Sequence, residues 1–266
     1  MILNKFRPSL LTGALKAFSL LLLILSLFSC SKTASSSENK AYIGLTHVAY
    51  GTGPLNITLD GDSLIPVPVS FGYTSGMPGN PYDTATSRIS EMQLVQGTDI
   101  LLHGNSAFQQ GSYYSIFAYD TLDIQTIGIL ILQNDLFSKS DTTVTARFLN
   151  FSPSSKIGIM LIYAHDSTIH DTIHIVVRDT IKIGPSFFVG YNPNPAAYPF
   201  SYFPHVGTNQ VFAYIDSASP RSDSSNFRRL GTLQFESTKS YNLYLQNFFY
   251  PDPSQDSLQI KSDLLN

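Results

Sequence analysis

The sequence predicts an all-β protein whose mature part consists of two tandem β-sandwiches. Two features of the composition favour strands: only three glutamates occur in 266 residues, and Ser, Thr, Tyr, Phe and Ile are abundant. Glutamate is a strong helix former, whereas β-branched and aromatic residues fit a pleated surface. The third observation is a strand pattern that starts again in the second half of the chain, which predicts a duplication.

The N-terminus has the pattern of an export signal that ends at the only cysteine of the chain. A basic segment leads into an apolar run, and Leu27-Phe28-Ser29 precedes Cys30. The apolar run is short for a bilayer span of about 20 residues, which disfavours the alternative of an uncleaved transmembrane anchor. Leu-x-Ser-Cys resembles the lipobox of bacterial lipoproteins, so we expect residues 1–29 to be a signal peptide and Cys30 to be lipidated.

Two or more acyl chains, such as diacylglycerol and palmitate, hold a protein stably on a membrane. We therefore expect an anchor in the outer membrane of the cell envelope, on either its periplasmic or its surface face. Residues 30–40 are polar and without periodicity, as expected of a tether. After cleavage, thirteen basic residues remain against nineteen acidic ones, and this net charge of −6 argues against nucleic acid as a partner.

From Ala41 onward, short alternating runs are separated by turn signals, as expected of sandwich strands. Ile57 and Leu59 lead into Asp60-Gly61, a typical hairpin turn. Alternation at Tyr114–Ala118 and an apolar run at Ile129–Leu132 predict two further strands. A polar break follows at 138–143, and then the strand pattern restarts.

The restart predicts an internal repeat. Ile57–Leu59 matches Ile159–Leu161 at an offset of 102 residues, and Tyr114–Ala118 matches Tyr241–Leu245 at an offset of 127. The second copy therefore holds 25 more residues between these points. We expect one sandwich at 41–137 and another at 144–266, each close in size to an immunoglobulin-like domain.

Several of these segments resemble the domain-of-unknown-function family 4397. In the second copy the resemblance lies in Thr145–Pro153, followed by the strand Ile159–Tyr163, and in the first copy in Thr46–Val48, Leu55–Gly61 and Gly111–Tyr113. Membership would imply immunoglobulin-like modules, often in tandem, in bacterial lipoproteins and secreted proteins. The motifs are structural, so the resemblance implies no catalytic residues.

Motifs of several large enzyme classes do not occur in the sequence: a Gly-x-Ser-x-Gly elbow, a His-Glu-x-x-His helix and a Gly-rich phosphate loop. The densest polar segment is 164–174, where His170 and His174 would share one face of a strand. Four residues span about 13 Å along a strand, too far for one metal ion, so a solvated hairpin is the favoured interpretation. We expect no enzyme, no metal and no cofactor.

A loop rich in proline and aromatic residues is the candidate ligand site. Its rings could stack on sugars or grip a peptide, or they could pack over the end of the sandwich. The candidate binding residues are Tyr191, Tyr198, Phe200, Tyr202 and Phe203.

Ten of the sixteen aspartates are followed by Ser or Thr, about three times the chance expectation. Turn chemistry explains part of this excess. The triplets also resemble the O-glycosylation acceptor of exported Bacteroidetes-type proteins, which would need exposed loops. Because we expect them in loops, the linker or the tail, the first candidates are Thr84, Thr142, Ser217 and Ser257. Thr172 and Thr180 rank last, since they fall on a predicted strand.

Together, these patterns favour a non-catalytic cell-envelope lipoprotein that acts in adhesion, assembly or ligand capture. The alternative is a glycan- or peptide-binding accessory lipoprotein of an uptake system.

Overall fold

The computed structural model confirms that the described part of the chain is all-β. It describes residues 39–76, 80–121, 126–134, 136, 143–152, 157–169, 173–186, 189, 194–203, 207–215, 227–246 and 259–265. Pro195–Ala197 form a short 3-10 helix. Within these ranges, no helix has the length and hydrophobicity that crossing a membrane requires.

The first half of the described chain forms a sandwich of two four-stranded sheets. Its strands are β1 (Lys40–Val48), β2 (Asn56–Leu59), β3 (Asp62–Ser63), β4 (Asp83–Thr86), β5 (Ile89–Gln96), β6 (Asp99–Ala107), β7 (Tyr113–Asp120) and β8 (Ile127–Asn134). One sheet has the order β4-β1-β7-β8 and the other β3-β2-β5-β6. Strands β1 and β7 are parallel, and the other neighbours are antiparallel.

The second half repeats this topology strand for strand. Its strands are β9 (Val144–Asn150), β10 (Ile157–Ile169), β11 (Ile173–Ser186), β12 (Ser201–Phe203), β13 (Gly207–Ile215), β14 (Phe227–Phe235), β15 (Ser240–Gln246) and β16 (Gln259–Leu264). The sheets have the orders β12-β9-β15-β16 and β11-β10-β13-β14, and β9 and β15 are again the parallel pair. The chain therefore contains two tandem sandwiches of one immunoglobulin-like design.

Both anchor points of the predicted repeat fall on equivalent strands. Ile57 lies on β2 and Ile159 on β10, and both are fully buried. Tyr114 and Tyr241 occupy the same position on β7 and β15. The two offsets, 102 and 127 residues, therefore relate equivalent strands of the two sandwiches.

The extra length of the second copy lies largely in one hairpin. Strands β2 and β3 are joined at Asp60-Gly61, whose positive φ angles of 52° and 88° fit the predicted tight turn. The equivalent strands β10 and β11 continue pairing from Ile159 with Ile183 to Ile169 with Ile173. The described residues of the histidine-rich segment, 164–169 and 173–174, belong to this elongated hairpin.

Each sandwich encloses its own apolar core. The core of the first includes Ile43, Leu45, Leu55, Ile57, Leu94 and Ile116. The core of the second includes Val144, Ala146, Ile159, Leu161, Val211 and Leu243.

The sheets that hold the parallel pairs pack against each other, so that both of their faces are covered. Every residue of β9 and of β15 is buried. An apolar group, here called the interface cluster, lies between them: Val48, Phe117, Tyr119, Leu130, Leu132, Leu149, Phe151, Val189, Tyr198 and Tyr244. The described residues from Lys40 onward belong to one compact unit. Independent folding of 41–137 and of 144–266 stays a prediction.

Candidate functional site

A groove of about 630 Å³ lies at one edge of the first sandwich. One wall is formed by the segment Ile65–Ser70, which follows β3, and the other includes Asp83 at the start of edge strand β4. Val67 and Tyr73 border the groove and are 70% and 68% exposed. The groove therefore combines an apolar, solvent-accessible rim with one acidic side chain.

Asp83 is positioned by the pairing of β4 with β1, in which it lies opposite Ile43. It shares a strand face with Ala85, a member of the first core, because side chains two residues apart point the same way. Its Oδ2 is buried and has no hydrogen-bond partner among the described residues. Burial raises the pKa of this carboxyl above its ordinary value.

A tight turn places Tyr73 at the groove. The Tyr73 amide donates to the carbonyl of Ser70 at 3.1 Å, and Gly72 takes a φ of 78°. The ring of Phe71 packs edge-on against His47 and Tyr50, with centroid distances of 5.9 and 5.8 Å. These contacts hold Phe71 against His47 and Tyr50, whereas the side chain of Tyr73 is exposed to solvent.

His47 stabilises this end of the sandwich as a neutral imidazole. Its Nδ1 accepts from the Ala49 amide at 3.3 Å, and this assigns the ring proton to Nε2, which lies 3.1 Å from the carbonyl of Gly53. Burial lowers the pKa of His47, which favours the neutral form. The histidine is thus a structural part of the loop after β1.

Between the two sandwiches, Arg147 is the centre of a buried polar network. It is 3% exposed, and its Nε donates to Asn242 Oδ1 at 2.6 Å. Its two Nη atoms donate to the carbonyl of Gln133, at 3.2 Å, and to Asn134 Oδ1. The guanidinium carbon lies 4.6 Å from the centroid of the Phe200 ring. Burial lowers the pKa of Arg147 to about 9.

Side chains of the first sandwich complete the network. Asn134 Nδ2 donates to the Tyr82 hydroxyl at 2.8 Å and to Ser115 Oγ at 3.0 Å, and Asn242 Nδ2 donates to the same Ser115 Oγ at 2.9 Å. Burial raises the pKa of Tyr82, so its hydroxyl stays protonated. The network joins the two halves through hydrogen bonds to neutral groups.

A second polar contact joins Asp263 on β16 to the first sandwich. Its carboxylate accepts from the hydroxyls of Thr46 and Thr74, both at 2.9 Å. The Tyr244 hydroxyl lies 3.4 Å from the same group. Desolvation by burial raises the pKa of Asp263 to about 6.

The aromatic residues predicted to bind a ligand have different places in the structure. Tyr198 is 6% exposed within the interface cluster, and burial raises its pKa to about 12. Phe200 covers Arg147, whereas Tyr202 on β12 is 40% exposed. Phe203 ends β12, and Tyr191 lies outside the described residues. Tyr198 and Phe200 therefore support the junction of the sandwiches, and a binding role for the loop stays a prediction.

The expected loop position of Thr84 is wrong. Thr84 is exposed but lies on strand β4, paired with Tyr42, because β4 runs along the edge of its sheet. Thr180 lies on paired strand β11, as expected. Thr142, Thr172, Ser217 and Ser257 lie outside the described residues, and modification of any of these sites stays a prediction.

No group of three or more His, Cys, Asp and Glu side chains that could hold a metal ion occurs among the described residues. His174 lies on β11 opposite Thr168, while His170 lies outside the described residues.

Sequence reasoning missed both the groove and the network. A signal for the network was present, since Arg147 interrupts the buried pattern of Thr145–Asn150 with a charge. No comparable signal marks the groove, because Asp83 and Val67 come together only when the two sheets pack.

No family model matches the chain, and no curated protein sequence does. Among solved structures, a Bacteroides ovatus protein described as a candidate for cell adhesion is 8% identical, with a TM-score of 0.24, over 85% of this chain and 96% of that one. A carbohydrate-binding module of family 26 from Eubacterium rectale, in complex with maltoheptaose, is 8% identical with a TM-score of 0.20, over 85% and 95%. An intermedilysin mutant with human CD59 is 7% identical with a TM-score of 0.25 over 77% of this chain, which spans only 34% of that one. Likeness at these values carries no argument about activity.

Proposed function

We propose that the protein is a cell-envelope lipoprotein that acts by binding, in adhesion, assembly or ligand capture, and not by catalysis. The observation that carries this proposal is the way the two sandwiches are joined. An apolar cluster and a buried polar network hold them as one body, so that their outer surfaces keep a fixed relation to each other.

Strongly shifted pKa values are typical of catalytic groups, but they also occur in structural networks. Here Arg147, Tyr82, Asp263 and Tyr244 have shifted pKa values. Arg147, Asp263 and the Tyr244 ring contact partners across the junction of the sandwiches, and Tyr82 binds Asn134, a member of the same network. Their hydrogen bonds account for their burial without any reacting group. This supports a binding scaffold over an enzyme.

The anchor belongs to the proposal, since residues 30–38 lie outside the described residues, while Lys40, the last residue of the predicted tether, begins strand β1. A lipidated Cys30 would attach the protein to the outer membrane, and the polar segment to residue 39 would space the sandwiches from the lipid. This arrangement agrees with the tandem lipoprotein modules that the resemblance to family 4397 implies. Membership in that family is part of the same proposal.

The first experiment tests anchoring with Cys30→Ser, and with Ser31→Ala as the matched control. Cells that produce each variant are labelled with a palmitate analogue and separated into membrane and soluble fractions. We expect Cys30→Ser to lose both the label and the membrane association, while Ser31→Ala keeps them. Membrane association that survives in Cys30→Ser would contradict the lipid anchor.

The second experiment tests binding. Cells that carry the anchored protein and cells that carry Cys30→Ser are compared for attachment to glycan-coated and peptide-coated surfaces. Attachment that depends on Cys30 supports a surface-facing binding protein. Equal attachment by both cell types contradicts adhesion by this protein.

The alternative, a glycan- or peptide-binding accessory of an uptake system, is favoured by the exposed aromatic rings of Tyr73 and Tyr202. Purified protein should then bind soluble glycans or peptides, and Tyr202→Ala should weaken that binding if the proline-rich loop is the site. An unchanged affinity in Tyr202→Ala would remove this loop as the binding surface.

A further inference from the structure

The groove of the first sandwich contains a charge that the fold itself does not use. Asp83 lines the groove, its Oδ2 is buried, and no described residue donates a hydrogen bond to that atom. Asp60, at the turn between β2 and β3, is by contrast paired, because its carboxylate binds Arg88 and the Glu91 amide. A buried polar atom without a partner is costly, so a carboxylate of this kind fits a donor that comes from outside.

The walls determine what kind of donor the groove would accept. Ile65, Val67 and Val69 alternate with Pro66 and Pro68 along one side, and the Tyr73 ring stands exposed at the rim. Apolar walls pack well against the methylene stem of a lysine or arginine, while the charged end reaches a polar group. An exposed tyrosine ring also attracts a cation.

The size of the groove agrees with such an occupant. Ligand sites in proteins typically have volumes of roughly 300–1,000 Å³, and this groove measures about 630 Å³. That exceeds the needs of a small inorganic cation. It leaves room for a long basic side chain together with apolar neighbours on both sides.

We propose that this groove binds a peptide segment through an arginine or lysine side chain whose charged end pairs with Asp83. Neighbouring apolar residues of the peptide lie against Val67 and Tyr73. The negative charge of Asp83 selects a basic residue in the peptide. The exposed apolar rim selects apolar residues on either side of it. This inference rests on the proposed binding function and names a site and a ligand class for it.

The test uses the full chain purified in detergent and two synthetic probes. The first is acetyl-Val-Arg-Val-amide, and the second replaces arginine by citrulline, which has the same shape without the charge. Isothermal titration calorimetry at pH 7 should give an affinity for the arginine peptide at least tenfold higher than for the citrulline peptide. This difference would assign the recognition to the positive charge.

Variants locate the site. Asp83→Asn keeps the size of the side chain and should abolish the preference for arginine over citrulline without lowering the melting temperature. The matched control is Asp99→Asn, which should bind both peptides like wild type. Asp99 is an exposed aspartate on β6, an edge strand of the sheet that does not contain β4. Tyr73→Ala should weaken the binding of both peptides, because it removes an apolar wall, and should weaken the arginine peptide more, because the ring also attracts the cation.

Three outcomes would overturn the inference: no measurable binding of the arginine peptide, equal affinity for the two peptides, or an unchanged preference in Asp83→Asn. If Asp83→Asn does not fold, competition of the arginine peptide by the citrulline peptide on the wild-type protein still measures the charge preference. The anchoring and attachment experiments on cells test the proposed function independently of the groove. If the protein is anchored and adhesive but does not bind the arginine peptide, only this inference is overturned.

Discussion

Arg147 shows how a buried charge can be stabilised without a carboxylate among its hydrogen-bond partners. Its donors reach two amide oxygens and a main-chain carbonyl, and an aromatic ring lies over the guanidinium. Arginine suits such a position because its planar group offers several donors in fixed directions. The network in turn orients Asn134 and Asn242 across the junction of the sandwiches.

We expect Arg147→Ala to lower the free energy of unfolding by roughly 3 kcal/mol, because two buried acceptors and one partly buried acceptor lose their donor. The matched control is Arg88→Ala, which removes an ion pair on the surface and should cost far less, because solvent screens the pair. Urea denaturation followed by circular dichroism measures both. A similar small loss for the two variants would show that the network contributes little to stability.

Asp263 gives stability a pH dependence of predictable sign. Its pKa is about 6 in the folded protein against an ordinary value of 3.8, so the folded state binds the proton more tightly than the unfolded state. Its contribution is fully present below about pH 4 and is lost as the pH rises to about 6. Asp263→Asn should remove this part of the pH dependence.

A tenfold difference in proton affinity corresponds to about 1.4 kcal/mol, so Asp263→Asn should gain up to about 3 kcal/mol relative to wild type between pH 4 and pH 7. Urea denaturation at a series of pH values checks this. Asp120, whose pKa burial also raises to about 6, is the control position. Asp120→Asn should change the pH dependence of stability by an amount that adds to the effect of Asp263→Asn. A stability difference between Asp263→Asn and wild type that stays constant with pH would contradict the raised pKa of Asp263.

At the scale of elements, the two copies share a turn that precedes β7 in the first sandwich and β15 in the second. The Tyr114 hydroxyl accepts from the Gln109 amide and the Tyr241 hydroxyl from the Glu236 amide, both at 2.9 Å. A tyrosine that binds the backbone a few residues upstream is a tyrosine corner, a feature of immunoglobulin-like domains. Phe108 and Phe235 pack edge-on against these rings, with centroid distances of 5.2 and 5.0 Å.

Tyr114→Phe and Tyr241→Phe should each lower the free energy of unfolding by about 1–2 kcal/mol, because each leaves one amide without its acceptor. Chemical denaturation is the measurement, and Tyr73→Phe, at an exposed ring, should have no effect. Losses that differ strongly between the two corners would show that the copies are not energetically equivalent.

The same turn contains one difference between the copies. Gly111 has a φ of 73°, and the equivalent residue of the second copy, Thr238, has a φ of 64°. Their amides make equivalent hydrogen bonds, to the carbonyls of Lys40 and Thr143. A β-branched residue is strained at positive φ, whereas glycine is not.

Thr238→Gly should therefore raise the free energy of unfolding by about 1 kcal/mol, the strain relieved less the extra entropy of glycine in the unfolded chain. Gly111→Thr, the reverse change in the first copy, should lower it. Both are measured by thermal melting. A lower melting temperature for Thr238→Gly would show that contacts of the threonine side chain outweigh the strain.

At the scale of the whole molecule, equivalent residues of the two copies meet each other. Phe117 and Tyr244 hold the same position in β7 and β15, and their rings lie 5.6 Å apart. Ser115 and Asn242 are likewise equivalent and are joined by a hydrogen bond. Contact between equivalent residues is the pattern of an isologous dimer interface. The tandem thus has the internal geometry of a homodimer joined in one chain.

Phe117→Asp places a charge in the interface cluster without touching either core. We expect the wild type to unfold in one calorimetric transition and Phe117→Asp to unfold in two, one for each sandwich, because burying an unpaired charge opposes the contact between them. Val67→Asp, at an exposed position, should leave the transition unchanged. A single transition of Phe117→Asp, shifted to lower temperature, would show that the halves do not fold independently.

The sequence by itself determined the local structure and the duplication. The alternation around Ile57 and Tyr114, the Asp60-Gly61 turn and the offsets between the copies depend on neighbouring residues, so they can be read directly. The placement of Thr84 failed because a two-sided polar pattern does not distinguish an exposed edge strand from a loop.

Only the tertiary structure decided what covers the second face of each central sheet. Thr46, Ser115 and Asn242 alternate with core residues in the way that solvent-facing residues do, yet the partner sandwich buries them. The same docking buries Tyr198 and Arg147, and packing of the two sheets creates the groove at Asp83. Alternation records that two faces differ, but contacts between distant segments determine whether the second face meets water or protein.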